Sequence, residues 1–306
     1  MTISSKISSK ELRQKYLDFY RSKQHAILPS SPLVPKEDPT VLFNTAGMQP
    51  IIPYLLGVSE HPLGNRLANS QKCIRTDDIE EVGDNRHGTF FEMLGNWGIA
   101  GSYFKEEIIA WSMEFLTSPE WLSLDPSRIF VTVYQGNKAD VEVDVEAIEL
   151  WQKEFLKLGI KAEVASENDY LETNKFAKIR TLSGKDNWWG LPYRGPCGPC
   201  SEMYYLMPSN PVDFESSILP KMAKEEKAFF IDDQIVEIGN NVFMSYLGEW
   251  GLNKEPINLT KMDFPNIDTG LGFERFLAVI NGVDTIYKTD LFEPILEVVE
   301  KFKTNN

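Results

Sequence analysis

A chain of 306 residues, 42% of them hydrophobic and 12% aromatic, has the apolar content for one large folded domain or two ordinary ones, which excludes a disordered polymer. Its 45 acidic and 31 basic residues leave a net charge of −14, with no long lysine or arginine run to serve as a nucleic-acid-gripping face, so DNA is not an expected partner and any nucleic acid must be met locally or through another polypeptide. Three cysteines make no disulfide framework, the polar Met1–Lys10 stretch offers no signal-peptide core, and no apolar run nears the ~18 residues of a membrane span, so a reducing, cytoplasmic setting with no membrane partner is expected.

Ser8-Ser9-Lys10-Glu11 reads as a capping box opening a helix, whose Leu12, Tyr16, Phe19 and Tyr20 form an apolar stripe to about Lys23. Loops punctuated by Pro29, Pro32, Pro35 and Pro39 lead to a strand-like Thr40-Val41-Leu42-Phe43. Next comes a hairpin: Gln71-Lys72-Cys73-Ile74-Arg75, a polar turn from Thr76 to Gly88, then Thr89 to Trp97. A helix between Gly101 and Leu116 sets Phe104, Ile108, Trp111 and Phe115 on one face, Ile129 to Tyr134 is a buried strand, and Val141 to Leu158 is an acidic amphipathic helix. After Gly184 the pattern turns irregular, with two adjacent tryptophans and a loop from Gly195 to Cys200, followed by strands at Glu202–Leu206, Ile235–Ile238 and Val242–Tyr246. Asn266 to Arg275 reads as strand, turn and helix, and Asp290 to Phe302 as a closing helix with Leu291, Ile295, Val298 and Val299 at helical spacing. Strands and helices do not alternate regularly. An α+β fold with a mainly antiparallel sheet flanked by helices, in a single domain, is therefore predicted.

Two segments carry groups suited to chemistry. Asp268, Gly270, Gly272 and Arg275 fall within eight residues, which suits a pocket for an ammonium group and a polyphosphate; turn glycines beside a surface Glu274–Arg275 pair is the alternative. Arg75, on a rigid strand, offers a planar fork for phosphate oxygens, and Phe90 or Phe91 a face for a base; a cross-strand Arg75–Glu92 pair over core phenylalanines stands beside that reading. Cys197-x-x-Cys200 falls short of a four-thiolate zinc site, and His25, His61 and His87 lack ligand spacing, so no structural zinc is expected, and His87 reads as an exposed loop residue. No Gly-x-x-x-x-Gly-Lys-Ser/Thr occurs, and Gly270-x-Gly272 lacks the third glycine of a dinucleotide fingerprint.

Together these segments resemble a known family. Cys73-Ile74-Arg75 with Thr89-Phe90-Phe91-Glu92-Met93-Leu94-Gly95-Asn96 is similar to motif 2 of the class II aminoacyl-tRNA synthetases, in the form found in alanyl-tRNA synthetases, and Ile267 to Arg275 is similar to their motif 3. Pro29 to Pro35, Asp38 to Phe43 and Ala46-Gly47-Met48 resemble the motif 1 region; Gly195 to Glu202 and Asn240 to Met244 also look like that family. The resemblance implies activation of L-alanine by ATP to alanyl-adenylate and pyrophosphate, for transfer to tRNA(Ala). It implies that Arg75 holds the α-phosphate and that Arg275 lies against adenine and the terminal phosphates. Phe90, Phe91 and Glu92 complete the ATP site. Asp268 takes the α-ammonium, Met48, Trp189 and Val242 wall the methyl group, Asn240 adds a hydrogen bond, and Gly270 belongs to the same amino-acid site. ATP calls for Mg²⁺, with Glu202 and Glu237 as the candidate carboxylates.

Three departures stand out. The motif 2 loop from Arg75 to Ile79 lacks an insertion seen in many bacterial members, and position 88 is glycine where those members often carry histidine. The chain ends at Asn306, soon after motif 3, so the expectation is one catalytic domain spanning 1–306 (core to about 285, closing helix 286–306) without tRNA-recognition, editing or oligomerisation parts. tRNA binding is then expected to be weak or to run through a separate domain or subunit. A free-standing paralogue that acylates a non-tRNA acceptor is one alternative. A non-catalytic nucleotide-binding relative is another, and the presence of Arg75, Asp268 and Arg275 together speaks against it.

Overall fold

The computed structural model describes residues 6–35, 41–136, 141–166, 177–191, 194–207, 235–250 and 256–303. Helix α1 (Ser9–Ser22) opens on the predicted capping box: the Glu11 N–H donates to Ser8 Oγ at 3.3 Å, and the Ser8 N–H donates back to the Glu11 carboxylate at 2.9 Å. Its Leu12, Tyr16, Phe19 and Tyr20 are buried, one apolar face as the 3.6-residue period requires. The chain continues through β1 (Ala26–Ile27), α2 (Ile52–Leu55), β2 (Arg66–Ile74), β3 (Phe90–Gly98), α3 (Lys105–Thr117), β4 (Ile129–Tyr134) and α4 (Val145–Lys157). Then follow β5 (Val164–Ser166), β6 (Ile179–Leu182), α5 (Gly184–Asn187), β7 (Trp188–Gly190), β8 (Gly195–Leu206), β9 (Ile235–Trp250), β10 (Pro256–Gly272), α6 (Phe273–Asn281) and α7 (Glu293–Lys303).

The strands form one sheet in the order β1-β2-β3-β10-β9-β8-β4-β6-β5, with β7 paired to β8. The β1/β2, β4/β6 and β5/β6 pairs are parallel, and the other six pairings among the described residues are antiparallel. This is the α+β arrangement that the sequence predicts. Alternation along each strand gives the sheet two different faces. Ala68, Leu94, Phe243, Ile267 and Leu271 point into the main core under α1, α3, α4 and α6. Leu67, Trp97, Val242 and Met244 point to the other face, where α2 and Met48 cover part of the sheet.

The fold differs from the sequence reading at four places. Asp38, Pro39 and Thr40 lie outside the described residues, and Val41 to Phe43 run as loop rather than strand. The expected loop Gly195–Cys200 is the first half of β8. A Cβ at Gly198 would sit 2.0 Å from the Phe243 carbonyl oxygen, so glycine serves close strand approach here rather than a turn. The two expected strands at 235–238 and 242–246 are one strand, β9, and β10 passes directly into α6 with no intervening turn. The closing helix forms as α7, but Ile295, Val298, Val299 and Phe302 are exposed. Among the described residues no helix is long and apolar enough to cross a membrane.

Candidate functional site

A cavity of about 280 Å³ lies on the face of the sheet away from the main core. Its floor comes from the β3–β10–β9 strip, where Asp268 is registered between Trp97 and Val242, and Gly270 between Gly95 and Asn240. Side chains from the loop before α2, the β2–β3 connection, β7, β8 and the first turn of α6 rise around it. Twelve of the thirteen residues predicted from sequence converge here: Arg75, Phe90, Phe91, Arg275, Met48, Trp189, Asn240, Val242, Asp268, Gly270, Glu202 and Glu237.

At one end sits Asp268, 8% exposed, whose Oδ1 accepts a hydrogen bond from the Trp97 indole at 2.6 Å. Burial pushes its carboxyl up to about 7, and the indole bond opposes that shift. Met48 and Val242 are buried beside it, and Trp189 packs against the same cluster. Asn240 Oδ1 is buried without a hydrogen bond, an acceptor open to a donor in the cavity. A Cβ at Gly270 would meet Met93 Sδ at 3.0 Å, so any larger residue would press on the Met93 side chain that lines the floor.

At the other end are the two arginines. Arg75 follows the last residue of β2, its N–H continuing the ladder to the Thr89 carbonyl at 2.9 Å. Its Nε donates to the Thr45 carbonyl at 2.9 Å and its guanidinium lies 5.2 Å from the Phe91 ring centroid. Its terminal nitrogens make no ion pair among the described residues, which leaves the fork for an anion. The alternative cross-strand pair with Glu92 does not form. Arg275, in the first turn of α6, donates through Nε to the Arg86 carbonyl at 3.3 Å and through one terminal nitrogen to Glu237 at 3.3 Å. The Arg86 contact ties the β2–β3 connection to α6 at the cavity. The Tyr287 hydroxyl, donating to the His87 carbonyl at 3.0 Å, and the Ile286 N–H, donating to the Asn85 carbonyl at 3.0 Å, fasten it further.

Glu92 is the predicted residue that the fold does not bring in. On β3 it has the opposite parity to Phe91 and Met93, which both line the cavity. Its carboxylate is instead held by Arg13 of α1 in two bonds of 2.8 and 2.6 Å and by the Ser70 hydroxyl at 2.7 Å. The surface Glu274–Arg275 pair is also replaced: Glu274 is buried and accepts the Glu92 N–H at 3.0 Å, and burial pushes its carboxyl up to about 7. His87 is half-buried at the cavity edge rather than exposed, its ring held between Asp84 and Glu81. Met93, Arg86, Glu274 and Ile286 line the cavity without having been singled out. For Met93 the signal was available, since it shares parity with Phe91 along an evident strand.

Glu202 and Glu237 face the cavity from neighbouring strands. Burial, and next the charge of Glu237, push the Glu202 carboxyl up to about 8, and Tyr204 and Thr132 donate hydroxyl bonds to it at 2.7 and 3.3 Å. Two carboxylates on neighbouring strands of one cavity wall fit a divalent cation that also takes phosphate oxygens and water. Among the described residues no group of three or more His, Cys, Asp or Glu could hold a metal by itself. Cys73, Cys197 and Cys200 are buried free thiols, and burial pushes Cys73 up to about 12 and Cys197 to about 11.

Two arginines and a buried carboxylate thus line one cavity over an antiparallel floor. The family model described as tRNA synthetases class II (A) matches residues 11–306, and the chain belongs to that family. Within it the chain is similar to the alanine--tRNA ligase of Treponema pallidum (strain Nichols), 41% identical over 296 residues that make up 96% of this chain and 43% of that protein. It is likewise similar to the alanine--tRNA ligase of Borreliella afzelii (strain PKo), 42% identical over 292 residues, 95% of this chain and 43% of that one. The chain therefore spans less than half the length of these curated relatives.

Proposed function

We propose that this chain is a cytoplasmic alanine-activating catalytic domain, joining L-alanine to ATP as alanyl-adenylate with release of pyrophosphate, for transfer to tRNA(Ala). The observation that carries the proposal is the placement of Asp268 and Arg75 at opposite ends of one cavity of about 280 Å³, with Met48, Trp189 and Val242 around the carboxylate. Asp268 takes the α-ammonium, and Asn240 Oδ1 accepts a further hydrogen bond from the substrate. The three apolar walls leave room for a small side chain. An amino acid held in this way presents its carboxylate toward the α-phosphate at Arg75. As the carboxylate oxygen bonds to phosphorus and the bond to pyrophosphate breaks, negative charge grows on the α-phosphate oxygens, and the fixed guanidinium stabilises it. Arg275 holds the adenine and terminal phosphates, with Phe90 and Phe91 offering faces for the base. Glu202 and Glu237 are the residues that would hold Mg²⁺, which when bound offsets phosphate charge. Positioning and electrostatics do the work and no general base is required.

We further propose one catalytic domain over 1–306, core to about 285, whose tRNA contacts are weak on their own or are supplied by a separate domain or subunit. The test is ATP–pyrophosphate exchange with alanine, serine and glycine. Exchange is expected with alanine, and weaker exchange with serine and glycine, because an apolar pocket separates such side chains by only about 1–3 kcal/mol. No exchange with any of the three would sink the proposal. A charging assay on tRNA(Ala) then decides between tRNA and another acceptor.

A further inference from the structure

Trp97 belongs to β3, directly across from Asp268 on β10, and is fully buried. Its ring lies on the cavity side of the sheet, beside Met48 and Val242, and two glycines make the room. A Cβ at Gly95 would come within 2.5 Å of indole Cη2, and one at Gly47 within 3.2 Å of Cζ2. So clamped, the indole has no freedom to swing, and its Nε1–H is aimed at Asp268 Oδ1 at 2.6 Å. Among the described residues it is the sole hydrogen-bond donor to that carboxylate.

On this geometry, and resting on the alanine-activating reading above, we infer that Trp97 is the positioning residue of the amino-acid site. Its indole fixes one oxygen of Asp268 and favours the ionised form, so that the other oxygen meets the substrate ammonium. A lone buried carboxylate could rotate and would hold its proton, and either would weaken ammonium binding. The indole bond to a charged acceptor counters both. Burial and the indole act on Asp268 in opposite directions, which agrees with this role. The other titratable groups that bear on Asp268 from packed elements are Tyr16 and Tyr103, both buried.

The experiment compares ATP–pyrophosphate exchange by the chain and its Trp97→Phe, Asp268→Asn and doubly substituted forms. In Trp97→Phe the alanine KM should rise about tenfold or more while the ATP KM stays within about twofold, because the lost interaction belongs to one substrate. The acid limb of alanine kcat/KM should move to higher pH, since the donor favouring the ionised form is gone. In the Asp268→Asn background the same substitution should add less than about twofold, as expected for groups acting as a unit. A purely structural loss of the larger ring would raise both KM values together, leave the acid limb in place and add in full to Asp268→Asn; that pattern overturns the inference. Wild-type exchange with alanine alongside unmoved Trp97→Phe values overturns it alone, whereas absence of wild-type exchange removes the activity reading and this inference with it. A measurement that needs no Trp97 variant is the indole N–H resonance of Trp97 in the unsubstituted chain. It should lie at a different position from the same resonance in Asp268→Asn, because a carboxylate and an amide oxygen accept its bond differently, and identical resonances in the two overturn the inference.

Discussion

Asp268 is required to be both buried and charged, and these demands conflict. Burial pushes its carboxyl up to about 7, well above the ordinary carboxylate value, and so disfavours the charged form. An ammonium substrate needs the ionised form, so alanine kcat/KM should fall by about tenfold per pH unit below that midpoint, while ATP binding does not share the limb. Asp268→Asn should abolish the limb and raise the alanine KM by about 100-fold or more, the effect of truncating one partner of a buried charge pair. An equal rise in the ATP KM would show that the carboxylate serves the nucleotide. Stability should move the other way. The folded chain holds this proton more tightly than the unfolded one, so the contribution of the group is full below the ordinary carboxylate value, declines as pH rises and is gone above about 7. The asparagine variant lacks that decline, and urea unfolding should show it gaining about 2–3 kcal/mol relative to wild type between about pH 5 and pH 8. At this scale the sequence was informative about charge and silent about direction. Asp268 and Arg275 were legible because they flank two glycines in one short passage, and Arg75 because it ends an evident strand, whereas the indole behind Asp268 could be seen only once β3 and β10 were in register.

The parity of β3 divides the second motif into two jobs. Phe91 and Met93 line the cavity, while Glu92 between them points to α1 and meets Arg13, whose guanidinium also lies 4.6 Å from the Phe273 ring centroid. One strand thus serves the site on one face and ties the first helix to α6 on the other. Glu92→Gln should therefore lower stability by about 1–3 kcal/mol, because a bidentate charge-assisted bond is lost in a partly buried place. Thermal unfolding would read that loss, and the ATP KM should change by no more than about twofold. A rise like that of an Arg75 variant would return Glu92 to the nucleotide. Elements such as α1 and β4 were legible because capping chemistry and apolar runs are local signals. The first half of β8 was not, because glycine and proline read locally as loop. Its glycine is explained by a carbonyl of β9, more than forty residues away, which leaves no space for a side chain. The stripe on α7 marks a helix correctly but says nothing of what lies against it, and in this chain its apolar side chains face outward.

Across the whole molecule the charge budget sets what the chain can hold unaided. A net −14 opposes a long phosphate backbone, while Arg75 and Arg275 sit inside a cavity of about 280 Å³. Local positive charge enclosed in this way acts on a ligand that enters it, and a duplex stem feels mainly the acidic exterior. The same chain should therefore perform exchange with alanine while binding tRNA no more tightly than ordinary non-specific association, with a Kd on the order of 10⁻⁵ M or weaker at physiological salt. Fluorescence anisotropy with labelled tRNA(Ala), run at low and physiological salt on a sample that passes the exchange assay, reads both properties in one preparation. Few phosphates can be neutralised by an acidic surface, so the plot of log affinity against log salt should be shallow, with a slope well below that of proteins making six to ten phosphate contacts. A sub-micromolar Kd with a steep salt slope would overturn this view. It would require a local basic surface despite the net charge of −14, and the acceptor stem would then be held by this chain itself.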